Sequence, residues 1–440
     1  MNTYSSYKDS GIEWIGEIPS EWNIVKTKYM TSPRKELSDS GKEELLSVSE
    51  YLGVIPRSVI RKGKGSLSRS ESLIGYLKVY KGDLVNNIML MWKKGLGVSQ
   101  YDGIVSPAYS VFNFIESVPS YYHYLYRTDR YITEFRKNST GVIMSRLRLY
   151  DDDFGDIPSV IPSLQEQQQI SDYLDHKTLN IDTLIKKTEQ KIELLKEQRI
   201  SLISTTVTKG LNSNVEMKDS GVEWIGEIPS GWSLSKIKYL PNEEKNSFTD
   251  GDWIESKDLS DSGIRYITSG NIGSGNYKEQ GSGYITEETF NKLKCTELFP
   301  GDLVMSRLFL PVGRSCILPN LNNRVITAVD NVILRPKECY SNFFLNFFFN
   351  SFYYSEHSKL ISRGVTLTRI SRGMLGNVHV VVPPLQEQQQ IVDYLDKETS
   401  RIDKLVDIES KRIVLLKEYR QSLISEVVTG KVDVRDEVLV

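Results

Sequence analysis

Cysteine and histidine are scarce in this chain: three cysteines and four histidines stand among 440 residues. Cys295, Cys316 and Cys339 lack both pairing partners and metal-ligand spacing, so buried, reduced thiols are expected in place of a disulfide framework. His123, His176, His357 and His379 stand singly, the pattern of surface or satisfied core residues and not of an acid–base or metal cluster. No apolar run reaches the roughly eighteen residues of a membrane span, and the first residues lack a basic-then-apolar signal. A cytoplasmic protein with no membrane partner is expected. Net charge is small as well. At −2 the chain is no simple basic polyanion binder, although 23–157 holds 20 Lys and Arg against 15 Asp and Glu.

Motifs of catalysis are missing too. There is no phosphate-cradling G-x-x-x-x-G-K-[ST], no H-E-x-x-H, and no G-x-G-x-x-G after a strand. The [DNS]-P-P-[YFW] tetrad of an adenine methyltransferase is not supplied by Pro383-Pro384-Leu385. Asp252, Glu255 and Lys257 make a cramped version of the carboxylate–lysine set of metal-dependent nucleases, with no counterpart in the first half. No catalytic residue and no metal site is expected.

What the chain has is repetition. Residues 162–208 return at 383–429, identical at 28 of 47 aligned positions and displaced by 221. Each copy opens like a helix: Ser163 with Glu166 fits a capping box, and Pro383 and Pro384 suit a first turn, where amides lack partners anyway. A seam then runs at alternating four- and three-residue steps. It reads Ile181, Ile185, Thr188, Ile192, Leu195, Arg199 and Leu202 in the first copy, and Ile402, Val406, Glu409, Ile413, Leu416, Arg420 and Leu423 in the second. Heptad spacing wants a partner along the whole length, and the obvious partner of each helix is the other. Arg199 and Arg420 on the seam either fix register or point at another subunit's carboxylate.

A second repeat frames the first. Residues 8–29 recur at 218–239 with 16 of 22 identities, carrying Trp14 and Trp22 against Trp224 and Trp232. Tryptophans repeated at one spacing read as framework packing. Gly82-Asp83-Leu84-Val85 echoes Gly301-Asp302-Leu303-Val304. Short strand-like runs lie at 44–49, 76–80, 83–87, 104–106 and 109–114, and again at 266–269, 302–306, 315–318 and 332–334. Helices are expected at 120–140, rich in tyrosine, and at 340–361, rich in phenylalanine. At this length at least two domains are expected. The fold class is α+β: two globules with mixed sheets, separated by two long helices pairing as an antiparallel coiled coil, with approximate internal two-fold symmetry. Residues 210–214 and the tail after Gly430 read as helix terminators followed by polar linker.

Clustered cations beside glycine point to DNA, because lysine and arginine reach phosphates and arginine can grip guanine with two hydrogen bonds. In the first globule they are Arg57, Arg61, Lys62, Lys64, Arg69, Lys93, Lys94, Arg146 and Arg148. In the second they are Lys257, Arg265, Arg307, Arg314, Arg369 and Arg372, with Ser269 and Asn271, the latter a side chain suited to adenine. Both globules end on a glycine followed by an arginine-bearing segment, at 141–148 and 364–372.

The duplicated order of globule and helix, the P-x-L-x-E-Q-x-x-I helix openings (162–170, 383–391), the Gly-Asp-Leu-Val strand and the arginine segments resemble the DNA-specificity subunit of type I restriction–modification systems. The resemblance covers essentially the whole chain. It implies a target recognition domain at 1–160, a spacer helix at 161–210, a second target recognition domain at 211–382, and a spacer helix with tail at 383–440. It also implies that each globule reads one half of a bipartite site in double-stranded DNA and that the helices set the spacing. Two methyltransferase subunits then dock and use S-adenosylmethionine, this chain binding no cofactor, and in the family two motor–nuclease subunits join to cut unmodified DNA. A reading from another class also fits the repeats: a coiled-coil scaffold whose globules bind protein.

Overall fold

The computed structural model describes residues 2–50, 52–60, 72–143, 147–280, 283–364 and 367–437. By packing, the chain divides into two units, residues 1–189 with 411–440 and residues 190–410. The sequence suggested four consecutive segments. Each packing unit holds one globule and a part of each long helix.

The two globules share a central sheet. In the first, four strands stand in the order Thr31–Pro33, Tyr109–Phe114, Leu84–Asn87, Leu96–Val98; in the second the order is Phe248–Asp250, Asn331–Leu334, Leu303–Ser306, Ser315–Ile317. The repeated Gly-Asp-Leu-Val explains its own recurrence. Gly82 and Gly301 both turn at φ 95°, where a side chain would strain the backbone. Asp83 accepts the Tyr80 amide and two hydrogen bonds from Arg34, at 2.7 and 2.9 Å; Asp302 accepts the Phe299 amide and two from Arg335, at 2.9 and 2.7 Å. Leu84 and Val85 then alternate into two different apolar clusters, as do Leu303 and Val304. The second unit adds a parallel pair, Ile264–Ile267 with Val325–Thr327, so its sheets are mixed. In the first unit the named ladders among the described residues are all antiparallel.

Each expected helix of the globules is two helices. Pro119–Leu125 and Asp129–Lys137 replace 120–140, and Asn342–Phe349 and Phe352–Ile361 replace 340–361. At each break an N-cap with extended backbone turns its hydroxyl back: Thr128 donates to Leu125 O at 2.8 Å and Ser351 to Phe348 O at 2.7 Å. Tyr121, Tyr122, Tyr126 and Tyr131 are fully buried, as are Phe344, Phe348 and Phe349. Trp22 and Trp232 are core residues, while Trp14 lies edge-on to Tyr131 and Trp224 stacks on His357 at 4.6 Å.

The long helices run Leu164–Lys209 and Leu385–Val428. Within the first unit Arg420 pairs with Asp182; within the second Arg199 pairs with Asp403 and Lys191 with Glu409. Rising numbers on one helix meet falling numbers on the other, so the pairing is antiparallel. Ile181, Ile185, Ile192, Ile402 and Leu423 are buried on the seam; Leu195, Leu202, Val406, Ile413 and Leu416 are half-buried. Both seam arginines pair with an aspartate across the helix pair, the contact that the register reading expects.

The helix opening is half of a capping box. Ser163 Oγ accepts the Glu166 amide at 3.3 Å, but the buried Glu166 carboxylate takes the Tyr4 hydroxyl at 2.7 Å. Its repeat, Glu387, takes the Trp232 indole at 2.9 Å. The following glutamines bracket helix to globule. Gln167 accepts the Val118 amide and donates to Pro162 O, each at 2.9 Å; Gln388 accepts the Ser341 amide at 2.8 Å and donates to Pro383 O at 2.9 Å. Below each bracket lies a two-stranded ladder, Asn23–Lys26 with Pro158–Ile161 and Ser233–Lys236 with His379–Val382.

Two expectations are corrected. Residues 431–437 of the tail are packed structure: Val432 and Val434 are buried, the Asp433 amide donates to Asn2 O at 2.9 Å, and Arg435 lies over the Tyr4 ring. Its alternating valines carry the burial that a polar linker would lack. Cys295 and Cys316 are buried free thiols, whereas Cys339 is exposed.

Candidate nucleic-acid interface

The arginine segment in each globule is held against the hairpin that follows the Gly-Asp-Leu-Val strand. The Leu149 amide donates to Ile88 O at 3.0 Å, and the equivalent Ile370 amide donates to Arg307 O at 3.0 Å. One edge of each globule thereby gathers residues far apart in sequence.

In the second unit this edge is a charge network. Arg307 lies 3.2 Å from Asp250 and 4.0 Å from Asp330; Arg369 lies 2.7 Å from Asp330, and Arg372 3.6 Å from Asp250. Three arginines share two carboxylates, leaving one positive charge. Arg307 is buried, donates to Val329 O at 2.6 Å, and has its pKa lowered chiefly by burial. Arg369 is exposed and Arg372 half-buried. A guanidinium has five donors, and a carboxylate uses at most two well, so these arginines keep donors for phosphate or a base edge.

Other candidates turn inward. Arg314 clamps its own hairpin, donating to the carbonyls of Ile272, Leu308, Phe309, Pro311 and Ser269. Asn271 is buried, accepting the Thr268 amide at 2.9 Å and donating to Lys278 O and Gln280 O at 3.0 and 2.7 Å. Ser269 is buried against Asn331 at 2.8 Å. Arg307, Arg314, Ser269 and Asn271 therefore build the loop instead of facing solvent, because buried polar groups must be satisfied internally. Arg265 is ion-paired with Glu279. Lys257 pairs with Glu255 at 2.6 Å, so the supposed nuclease set is broken up, and Asp252, pushed up to about 6 by burial, accepts the Thr296 amide at 2.9 Å.

In the first unit Lys93 and Arg148 are exposed at the edge, Lys93 lying 4.8 Å from the Trp92 ring centre. Lys94 pairs with Asp129 at 2.7 Å, and Arg57 is half-buried at the start of a short helix. Arg61, Lys62, Lys64, Arg69 and Arg146 lie outside the described residues. His123 is a structural base: its Nδ1 accepts the Val98 amide at 3.2 Å, and burial first, then Arg127 and Arg420, lower its pKa to about 3. Sequence reasoning missed Asp250 and Asp330, which organise the arginines, and the exposed apolar hairpin tips; lone acids and short apolar runs carry no distinctive pattern.

Among the described residues no cluster of His, Cys, Asp or Glu could hold a metal, and no helix is long and apolar enough to cross a membrane. Each of the two like globules presents cations on a braced edge and packs on paired helix segments. Residues 230–418 match the family described as Type I restriction modification DNA specificity domain. Over 436 residues the chain is 21% identical to the type I restriction enzyme MjaVIII specificity subunit of Methanocaldococcus jannaschii, covering 95% of each. A putative MjaX specificity subunit from the same organism is 24% identical over 279 residues, 62% of this chain and 59% of that one. The fold is similar to the HsdS subunit of Thermoanaerobacter tengcongensis, with TM-score 0.61, 17% identity, and 98% and 100% of the two chains covered. It is also similar to a chain in a structure concerned with assembly and conformational transition of the type I R-M system, with TM-score 0.70, 17% identity, and 94% and 99% covered. Residues 230–418 thus carry a type I restriction–modification DNA specificity domain, and the chain over its length is similar to specificity subunits of such systems.

Proposed function

We propose that this chain is the address-reading component of an adenine-N6 DNA methylating complex, with no catalysis of its own. Each globule reads one half of an asymmetric bipartite site, and the paired helices set the gap and dock two methyltransferase subunits. S-adenosylmethionine belongs to those partners, and motor–nuclease subunits add cutting. The observation that carries the reading is a shared framework with unlike reading edges. The strand order, the turn aspartates and the helix brackets recur, while an arginine–carboxylate network stands in one globule where Lys93 and Arg148 stand in the other. Two different edges on equivalent scaffolds suit two different half-sites.

The test is adenine-methylation mapping in cells given this chain with its methyltransferase, against cells lacking the chain. A bipartite motif that appears only with the chain, one half of which changes when the first globule is exchanged, supports the reading. Unchanged methylation despite an assembled complex would move the protein-binding scaffold to the front.

A further inference from the structure

Each globule leaves two large apolar side chains in solvent at the same place. Met89 and Leu90 are 40% and 42% exposed in the hairpin between Leu84–Asn87 and Leu96–Val98. Phe309 and Leu310 are each 52% exposed in the hairpin between Leu303–Ser306 and Ser315–Ile317. These are the equivalent hairpins fastened by the Leu149 and Ile370 amides. A single exposed leucine is ordinary on any protein. A pair recurring at equivalent tips, in loops with unrelated sequences, is not explained by packing alone, since about half of each side chain is left in solvent.

Both tips are braced from below, by different residues. Phe309 holds φ 58°, a conformation bulky residues rarely adopt. It is fixed there by its amide, which donates to Thr368 O at 3.0 Å, and by Arg314 on the carbonyls of Leu308, Phe309 and Pro311. In the other hairpin the Trp92 indole donates to Met89 O at 3.0 Å, the Gly95 amide to Leu90 O at 2.8 Å, and Arg127 to Lys94 O at 3.0 Å. A Cβ on Gly95 would meet Leu90 O at 2.6 Å, so the close turn under the tip requires glycine. Cations flank each tip: exposed Lys93 and Arg148 in one globule, exposed Arg369 and half-buried Arg372 in the other, Arg369 forming a backbone bridge with Leu308.

A rigid apolar point ringed by cations fits one occupant well. Proteins that deform a duplex insert Phe, Leu or Met between base steps while arginine and lysine hold the flanking phosphates. An enzyme that modifies a base must first have it out of the stack, and unstacking a neighbouring step lowers that cost. We propose that Met89–Leu90 and Phe309–Leu310 are wedges that enter the DNA, one in each half-site, and part a base step so that the bound methyltransferase can extract its adenine. The inference rests on the DNA-recognition reading above.

The test uses the full chain in complex with its methyltransferase and a duplex carrying the mapped motif, with 2-aminopurine at the target adenine of one half or the other. Wild-type complex should raise the fluorescence of both probes. Phe309→Ser with Leu310→Ser should abolish the rise in one half only, and Met89→Ser with Leu90→Ser in the other half only. Affinity should fall by no more than about ten-fold with an unchanged salt slope, because the phosphate contacts remain. The bulk-preserving Phe309→Leu with Leu310→Met should keep the signal, and Leu360→Ser, 82% exposed elsewhere in the second unit, should change nothing. Wild-type fluorescence from both serine variants would overturn the proposal. So would loss of complex assembly by those variants, which would make the tips a protein-docking surface. Absence of salt-dependent DNA binding by the wild-type complex would instead overturn the DNA-recognition reading and the wedges with it.

Discussion

Arg199 Nε stands 2.9 Å from Asp403 Oδ1, the first long helix reaching the second. Arg420 and Asp182 make the same contact at 3.0 Å, and since 199 + 221 is 420 and 182 + 221 is 403, each pair is the other's repeat. Half-exposed pairs of this kind contribute about 0.2–1 kcal/mol each. Their larger effect is on register, because a slip of one helical turn separates the partners by about 5.4 Å.

Arg199→Ala should therefore lower stability by no more than about 1 kcal/mol, and Arg199→Asp by more, through repulsion of Asp403. Adding Asp403→Arg to Arg199→Asp should restore most of the loss. Thermal unfolding followed by helical circular dichroism reads the cycle; a double variant no better than Arg199→Asp would show that the pair does not act as a unit.

The Trp232 indole donates to Glu387 at 2.9 Å where the second helix starts. Glu387→Gln keeps an acceptor and should be mild. Glu387→Leu strands a buried N–H and should cost about 1–3 kcal/mol. Denaturant titration of the two variants checks the difference, and equal losses would mean that the acceptor is unimportant.

Arg314 and Arg369 look alike in sequence and should behave oppositely. Arg314→Ala removes donors from five carbonyls and should destabilise the second globule by about 2–4 kcal/mol. Arg369→Ala should leave the melting temperature nearly unchanged but weaken DNA binding and reduce the salt slope by about one. Calorimetry and binding at several salt concentrations separate the two roles.

His123 makes the first globule acid-sensitive. The folded protein holds its pKa near 3, whereas the unfolded chain takes up a proton at the ordinary histidine value of about 6.5. The folded state thus binds fewer protons across that window. Stability at His123 is intact above about pH 6.5 and is lost as pH falls toward 3, by about 1–2 kcal/mol at pH 5. His123→Gln should flatten the difference between unfolding at pH 7 and at pH 5; an equally steep loss would assign the acid sensitivity elsewhere.

The duplicated frame was legible because repeats report themselves. Helix seams, framework tryptophans and the Gly-Asp-Leu-Val strand all appear where the sequence placed them, and for the reasons it suggested. The interface was legible only as composition. Arg314 and Arg369 share a residue type and a glycine-rich neighbourhood, and only the fold decides that one faces carbonyls and the other solvent. The helix breaks at Thr128 and Ser351 were missed because a hydroxyl inside an aromatic run looks like an ordinary helix residue until its back-bond is seen. The tail was misread because two valines separated by Asp433 look soluble when their neighbours are unknown.

The ladders beneath the two brackets bear on how such a chain can change its address. Asn23–Lys26 and Pro158–Ile161 enter and leave the first globule side by side, as Ser233–Lys236 and His379–Val382 do the second. They form a neck with both threads of the socket in one place. A transplant cut inside a ladder would pair a donor strand with a host strand and leave the fit to chance. A cut just beyond it, from Thr27 to Asp156, would leave each neck whole and exchange everything that reads. Variation can then accumulate above the neck while the stem below keeps its partners.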